Sequence, residues 1–117
     1  LCTIAPASGS ATYNGSTKTE PVISQMILNP LDVWIDETQT VTVAIADGNT
    51  NDITDVSGTV FKDSGSTAFT LSRVSGTDTD GSWQGTWTLG GTNCSTYQVQ
   101  IDATSASGTS TLTVSAR

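Results

Sequence analysis

Histidine is absent from this chain of 117 residues. Its absence removes the usual general base and the commonest metal-ligating side chain, and with them Ser-His-Asp and Cys-His nucleophile systems. Bases are scarce as well: Lys18, Lys62, Arg73 and Arg117 stand against nine Asp and two Glu, for a net charge of −7. No basic stripe forms from so few cations, so binding to nucleic acid is disfavoured. No apolar run reaches the ~18 residues of a membrane-spanning helix, so no membrane span is expected. No charged and then apolar leader precedes the core either, and Leu1 reads as the start of a processed or trimmed chain. A carboxylate pair for glycoside hydrolysis is the catalytic arrangement left open. Most of the acids fall in loops, where solvated turn residues are the ordinary explanation, and the chain is expected not to be an enzyme.

What is abundant is Ser and Thr, 15 and 22 residues respectively, while charged residues make up 13%. Thr favours strands and Ser favours turns, which points to an all-β protein, and the length suits one domain. Residues 1–20 are small, polar and turn-rich and read as an N-terminal extended arm outside the core, a linker or a donor strand. Residues 21–117 read as the folded domain. A first strand runs from Val22 to Leu28, is broken at Asn29-Pro30, and resumes over Leu31 to Ile35, with a switch of sheets expected at the proline. Thr40 to Ala46 follows with Val41, Val43 and Ile45 inward. Val56, Gly58 and Val60 mark the next strand, and Phe69 and Leu71 face inward on one that ends at Ser75-Gly76. Trp83, Gly85, Trp87 and Leu89 share one face. Tyr97, Val99, Ile101 and Ala103 share another, and after the turn at Ser105 to Gly108 so do Leu112, Val114 and Ala116. This gives about seven strands with turn signals every ~8–12 residues, the spacing of an antiparallel sandwich.

Several of these pieces resemble the Ig-like modules of bacterial and archaeal surface proteins. They are Thr40 to Val43, Phe69 to Leu71 with Val74 to Gly76, Asp80 to Thr88, and Tyr97 to Thr104 with Ala106 to Gly108. The tyrosine opening a late strand is similar to the tyrosine corner of Ig-like sandwiches. The resemblance implies an Ig-like β-sandwich in an adhesive or structural setting. The antibody-type core disulfide is missing, because Val43 and Val99 stand where those cysteines would be. Type IV pilins carry a long apolar N-terminal helix, which this chain lacks. Some Ig-like pilins carry a Lys–Asn isopeptide bond to the last strand, but Thr109 to Arg117 contains no Asn to receive Lys18 or Lys62.

The remaining candidates are constellations of a few residues. Cys2 and Cys94 suit one disulfide of a secreted chain, and the arm is long enough for Cys2 to fold back onto its own Cys94 or to meet that of a neighbour. Asn14 and Asn93 head N-glycosylation sequons. The apolar arm residues Leu1, Ile4, Ala5, Ala7 and Tyr13, with Cys2, would let the arm add to a neighbour's sheet edge. Such a head-to-tail contact does not close and builds a homopolymer, as in the donor-strand archaeal thread filaments that the arm would resemble. Asp47, Asp52, Asp78 and Asp80 lie in two acidic loops that offer oxygens to calcium; the alternative is ordinary Asx turns, and no other cofactor is implied. Exposed Trp34 and Trp83 would provide a sugar-stacking platform, whereas Trp87 reads as core. The expectation is therefore an extracellular filament subunit at the cell surface. The alternative is an adhesive or carbohydrate-binding module of a larger surface protein, recognising glycans or a receptor.

Overall fold

The structure, a computed structural model, describes residues 1–4, 11–14 (as backbone), 20–63, 65–91 and 94–114. It is all-β, with two sheets packed face to face. One sheet has the spatial order β3 (Pro21–Asn29), β4 (Thr38–Asp47), β8 (Asp80–Thr88), β7 (Ser72–Gly76), all antiparallel. The other has the order β2 (Ala11–Asn14), β10 (Gly108–Val114), β9 (Thr96–Ser105), β5 (Ile53–Lys62), β6 (Gly65–Thr70). The two-residue strand β1 (Thr3–Ile4) lies parallel to the start of β9.

The period-2 patterns place the core. On β4 every second residue from Gln39 to Asp47 is buried, and on β9 the same holds from Tyr97 to Ser105. Each is a central strand flanked on both sides, so its inward row meets the opposite sheet and its outward row of Thr, Ala and Gln stays half exposed. Val43 and Val99, in the places of a core disulfide, are fully buried there. Trp83, Trp87 and Leu89 join them from β8 and the residue after it.

The segment expected to be one strand around Phe69 and Leu71 is two, in different sheets. β6 pairs with β5, Leu71 turns inward, and β7 pairs with β8. Two glycines allow this crossing. The Phe69 ring lies over its cross-strand partner Gly58, where an added Cβ would sit 2.3 Å from the ring. A Cβ on Gly85 of β8 would come within 2.4 Å of the Thr70 carbonyl oxygen. A side chain at Gly85 would push the crossing backbone off the sandwich, whereas one at Gly58 would displace the Phe69 ring.

The N-terminal segment departs from the expectation of an arm outside the core. Cys2 and Ile4 are fully buried, and β2 pairs with β10 of its own chain, Tyr13 opposite Leu112 and Asn14 opposite Thr111. The burial of Cys2 and Ile4 gives the first four residues a place in this sandwich that polar composition alone does not signal. Ala5, Ala7, Lys18 and Ala116 lie outside the described residues. The second half of the interrupted first strand, Leu31 to Ile35, also differs, because only Val33 pairs there, in an antiparallel bridge to Cys2. Its Cys2 partner leads directly into β1, so the chain does reach the opposite sheet after Asn29-Pro30, which is a cis peptide bond.

Gly85→Ala is expected to lower stability by about 1–3 kcal/mol in chemical denaturation, from overpacking against Thr70. Gly90→Ala is the control, since open space surrounds that position, and its change should stay within about 0.5 kcal/mol.

Candidate functional site

The facing strands β4 and β9 begin and end on polar pairs, one at each end of the sandwich. At the first end Gln39 is fully buried and uses its whole amide. Its Nε2 donates to Pro30 O and to the Tyr97 hydroxyl, each at 2.8 Å, and its Oε1 accepts the Trp87 Nε1–H at 2.7 Å. Tyr97 donates its hydroxyl onward to Leu31 O, and its ring packs 5.6 Å from that of Trp87. Tyr97 therefore bonds across the sandwich to the segment after β3, not back to nearby backbone as in a tyrosine corner. Trp87 is core, as its alternation with Leu89 predicts.

The same end carries the disulfide. Cys2 and Cys94 are bonded within one chain, with their Cα atoms 4.9 Å apart across a separation of 92 residues. Cys2 N–H donates to Val33 O at 2.6 Å and Val33 N–H returns to Cys2 O at 2.9 Å, so the N-terminus is held by bonds of two kinds. A loop this long loses much chain entropy on closure in the unfolded state, about 4.6 kcal/mol by the loop-entropy relation.

Trp34 and Trp83 part company. Trp34 is 62% exposed on a turn whose Glu37 Oε1 accepts the Trp34 N–H at 3.1 Å, with Leu31 and Ile35 half exposed beside it in sequence. Trp83 is 5% exposed, facing Val43 across β4 and β8. A sugar-stacking platform built on both is thus corrected: Trp83 has no free face, because its inward phase commits it to the core.

At the opposite end Asp47 closes the inward row of β4. Its Oδ1 accepts Asn49 N–H at 2.8 Å, Asn51 N–H at 3.2 Å and the Ser107 hydroxyl at 3.2 Å, and its Oδ2 accepts the Ser105 hydroxyl of β9. This grip holds the 47–52 loop, in which Thr50 adopts a φ of 56°, a region β-branched residues rarely visit. Burial alone would raise the Asp47 carboxyl, but the Ser105 hydroxyl and the Asn49 and Asn51 amides outweigh it and hold the pKa below its ordinary 3.8.

The four calcium candidates, Asp47, Asp52, Asp78 and Asp80, fall on or beside two loops at this end. The Asp47 N–H donates to Thr79 O, so the two acidic loops are neighbours, yet the Asp47 oxygens are already engaged inward. Asp78 pairs with Arg73 at 2.9 Å. Among the described residues, Asp47, Asp52, Asp78 and Asp80 form no ligand set, and no three acidic, Cys or His side chains converge.

An open groove of about 220 Å³ lies where β5 ends beside the start of β9, lined by Phe61, Lys62, Asp63, Thr96, Tyr97 and Gln98. Asp63 is oriented there by Ser95 N–H at 2.6 Å and Thr96 N–H at 3.3 Å. These amides hold its carboxyl below the usual range. Nothing in the alternation of polar and apolar residues signals this groove, since it arises from two strand ends far apart in the chain. Of the sequons, Asn14 sits on the edge strand β2 and Asn93 lies outside the described residues.

Comparison of the chain with protein-family models, with curated proteins and with solved structures finds no match. Among the described residues no helix is long and apolar enough to cross a membrane.

Gln39→Leu leaves the Trp87 N–H and the Tyr97 hydroxyl short of a partner and should cost at least about 1–3 kcal/mol in urea unfolding, whereas Trp34→Ala should change stability by under ~0.5 kcal/mol. For Asp47 the folded pKa is the depressed one, so its stabilisation is present above the unfolded value near 3.8 and is lost as pH falls through the folded value. Asp47→Asn should therefore be less stable than the parent at pH 7, and the gap should narrow below about pH 3.8 when unfolding midpoints are compared across pH.

Proposed function

We propose that the chain is a non-catalytic, extracellular structural module of the Ig-like type, a disulfide-locked bead of a cell-surface filament or array. The observation that carries this reading is the Cys2–Cys94 bond, which ties the N-terminus to the start of β9 and suits an oxidising compartment. The Ig-like reading is supported by strand order: with β3 taken as strand A, the two sheets run A-B-E-D and G-F-C, with β1, β2 and β6 added. Glycans on Asn14 and Asn93 would shield such a surface, and the two sequons support that part of the reading.

The bond within one chain takes the covalent joint between neighbours out of the filament reading. Units would then meet head to tail through non-covalent contacts. β2, a four-residue edge strand, is the element whose exchange between neighbours would link them. A second reading, an adhesive module of a larger surface protein, is favoured by Trp34, presented on its turn with most of its surface exposed.

Denaturing gels with and without reductant are expected to show only monomer, and a ladder that collapses on reduction would place the disulfide between chains. Deleting residues 1–13 removes Cys2 and the buried Ile4 and should cost about 2–5 kcal/mol from the disulfide alone, read by thermal unfolding. Light scattering and electron microscopy of the oxidised chain should show multimers that grow with concentration. A strict monomer at every concentration would favour the adhesive reading.

A further inference from the structure

Phe61, next to last on β5 and following the fully buried Val60, is 41% exposed on the outer face of the sheet. Its register partner on β9 is Gln98, and the next pair joins Lys62 to Tyr97. The polar groups of the groove differ in how far they are already used. Asp63 is exposed and accepts the Ser95 and Thr96 N–H groups and, at 3.5 Å, the Thr96 hydroxyl, which leaves part of its ~four lone-pair positions open. The Lys62 ammonium and the Gln98 amide have no side-chain partner among the described residues, whereas Arg73 is paired with Asp78.

We propose that this groove binds one uncharged pyranose ring of a glycan. Its volume of about 220 Å³ falls below the ~300 Å³ at which clefts for drug-sized ligands begin, so it suits a single ring. The Phe61 face, with its negative quadrupole, suits the C–H face of a sugar. The fixed Asp63 carboxylate and the Gln98 amide, with Lys62 among the lining residues, supply both acceptors and donors, as neighbouring sugar hydroxyls require. A purely apolar ligand would cover Lys62 and Gln98 without pairing them, at a desolvation cost. An anionic ligand would meet Asp63 and the field of a chain with net charge −7. The inference rests on reading the chain as extracellular and is independent of how units assemble.

The test is a titration of the full chain, disulfide intact, with methyl glucoside, galactoside and mannoside, and separately with glucuronic and N-acetylneuraminic acids, followed by amide chemical shifts in NMR. Saturable millimolar shifts confined to residues 61–63 and 96–98 are expected with at least one neutral glycoside. Phe61→Ala and Gln98→Ala should each weaken that binding roughly tenfold without moving the melting temperature. No shift with any neutral glycoside would overturn the proposal, as would shifts centred on Trp34, preference for a charged sugar, or unchanged affinity in both variants. Because the spectra are read on the dispersed chain, a negative result here leaves the assembly reading untouched, and a failure to assemble leaves this result standing.

Discussion

A buried amide at Gln39 decides how the two sheets meet. Burying a glutamine costs free energy unless each of its groups finds a partner, and here Pro30 O, the Tyr97 hydroxyl and the Trp87 N–H provide them. Those partners come from the segment after β3, from β9 and from β8, so satisfying one side chain sets the position of three elements. Asp47 does the same at the other end, with Ser105, Ser107 and two loop amides. Between them the inward rows of β4 and β9 are apolar throughout. Apolar packing is tolerant of sliding, whereas paired hydrogen bonds at both ends are not, and together they set the register between the sheets.

The N-terminal segment matters most for the functional reading. With Cys2 bonded to Cys94 and Ile4 buried, the first four residues are spent on their own sandwich. A segment free to reach a neighbour would leave the site beside β9 open and the apolar interior at that end exposed. The first four residues thus complete their own sandwich, and β2 is the part of the N-terminal segment that lies at a sheet edge. On the proposed reading, assembly is then left to the edge strand β2, and recognition to the Trp34 turn or the groove beside Phe61.

Much of the fold was legible because period-2 alternation reports burial directly. Val41, Val43, Ile45, Val56, Val60, Tyr97, Val99, Ile101 and Ala103 are all buried as their phase requires. The phase also held a signal left unused: Gln39 and Asp47 continue the inward row of β4 at either end, so both were marked for burial despite being polar. The sheet switch at Leu71 was hidden, because a strand that changes partners keeps its alternation. Trp83 was misjudged as a candidate for exposure although Trp87, Leu89 and it share one phase.

By itself the sequence determined the all-β class, the positions of most strands, the turns between them and the inward rows, since these depend on neighbours two residues apart. Tertiary structure alone decided where the N-terminus goes, which cysteine it meets, what satisfies Gln39 and Asp47, and which side chains meet in the groove at the end of β5. Those outcomes join residues tens of positions apart. They depend on which buried polar groups find partners and which surfaces close, and no local periodicity carries that information.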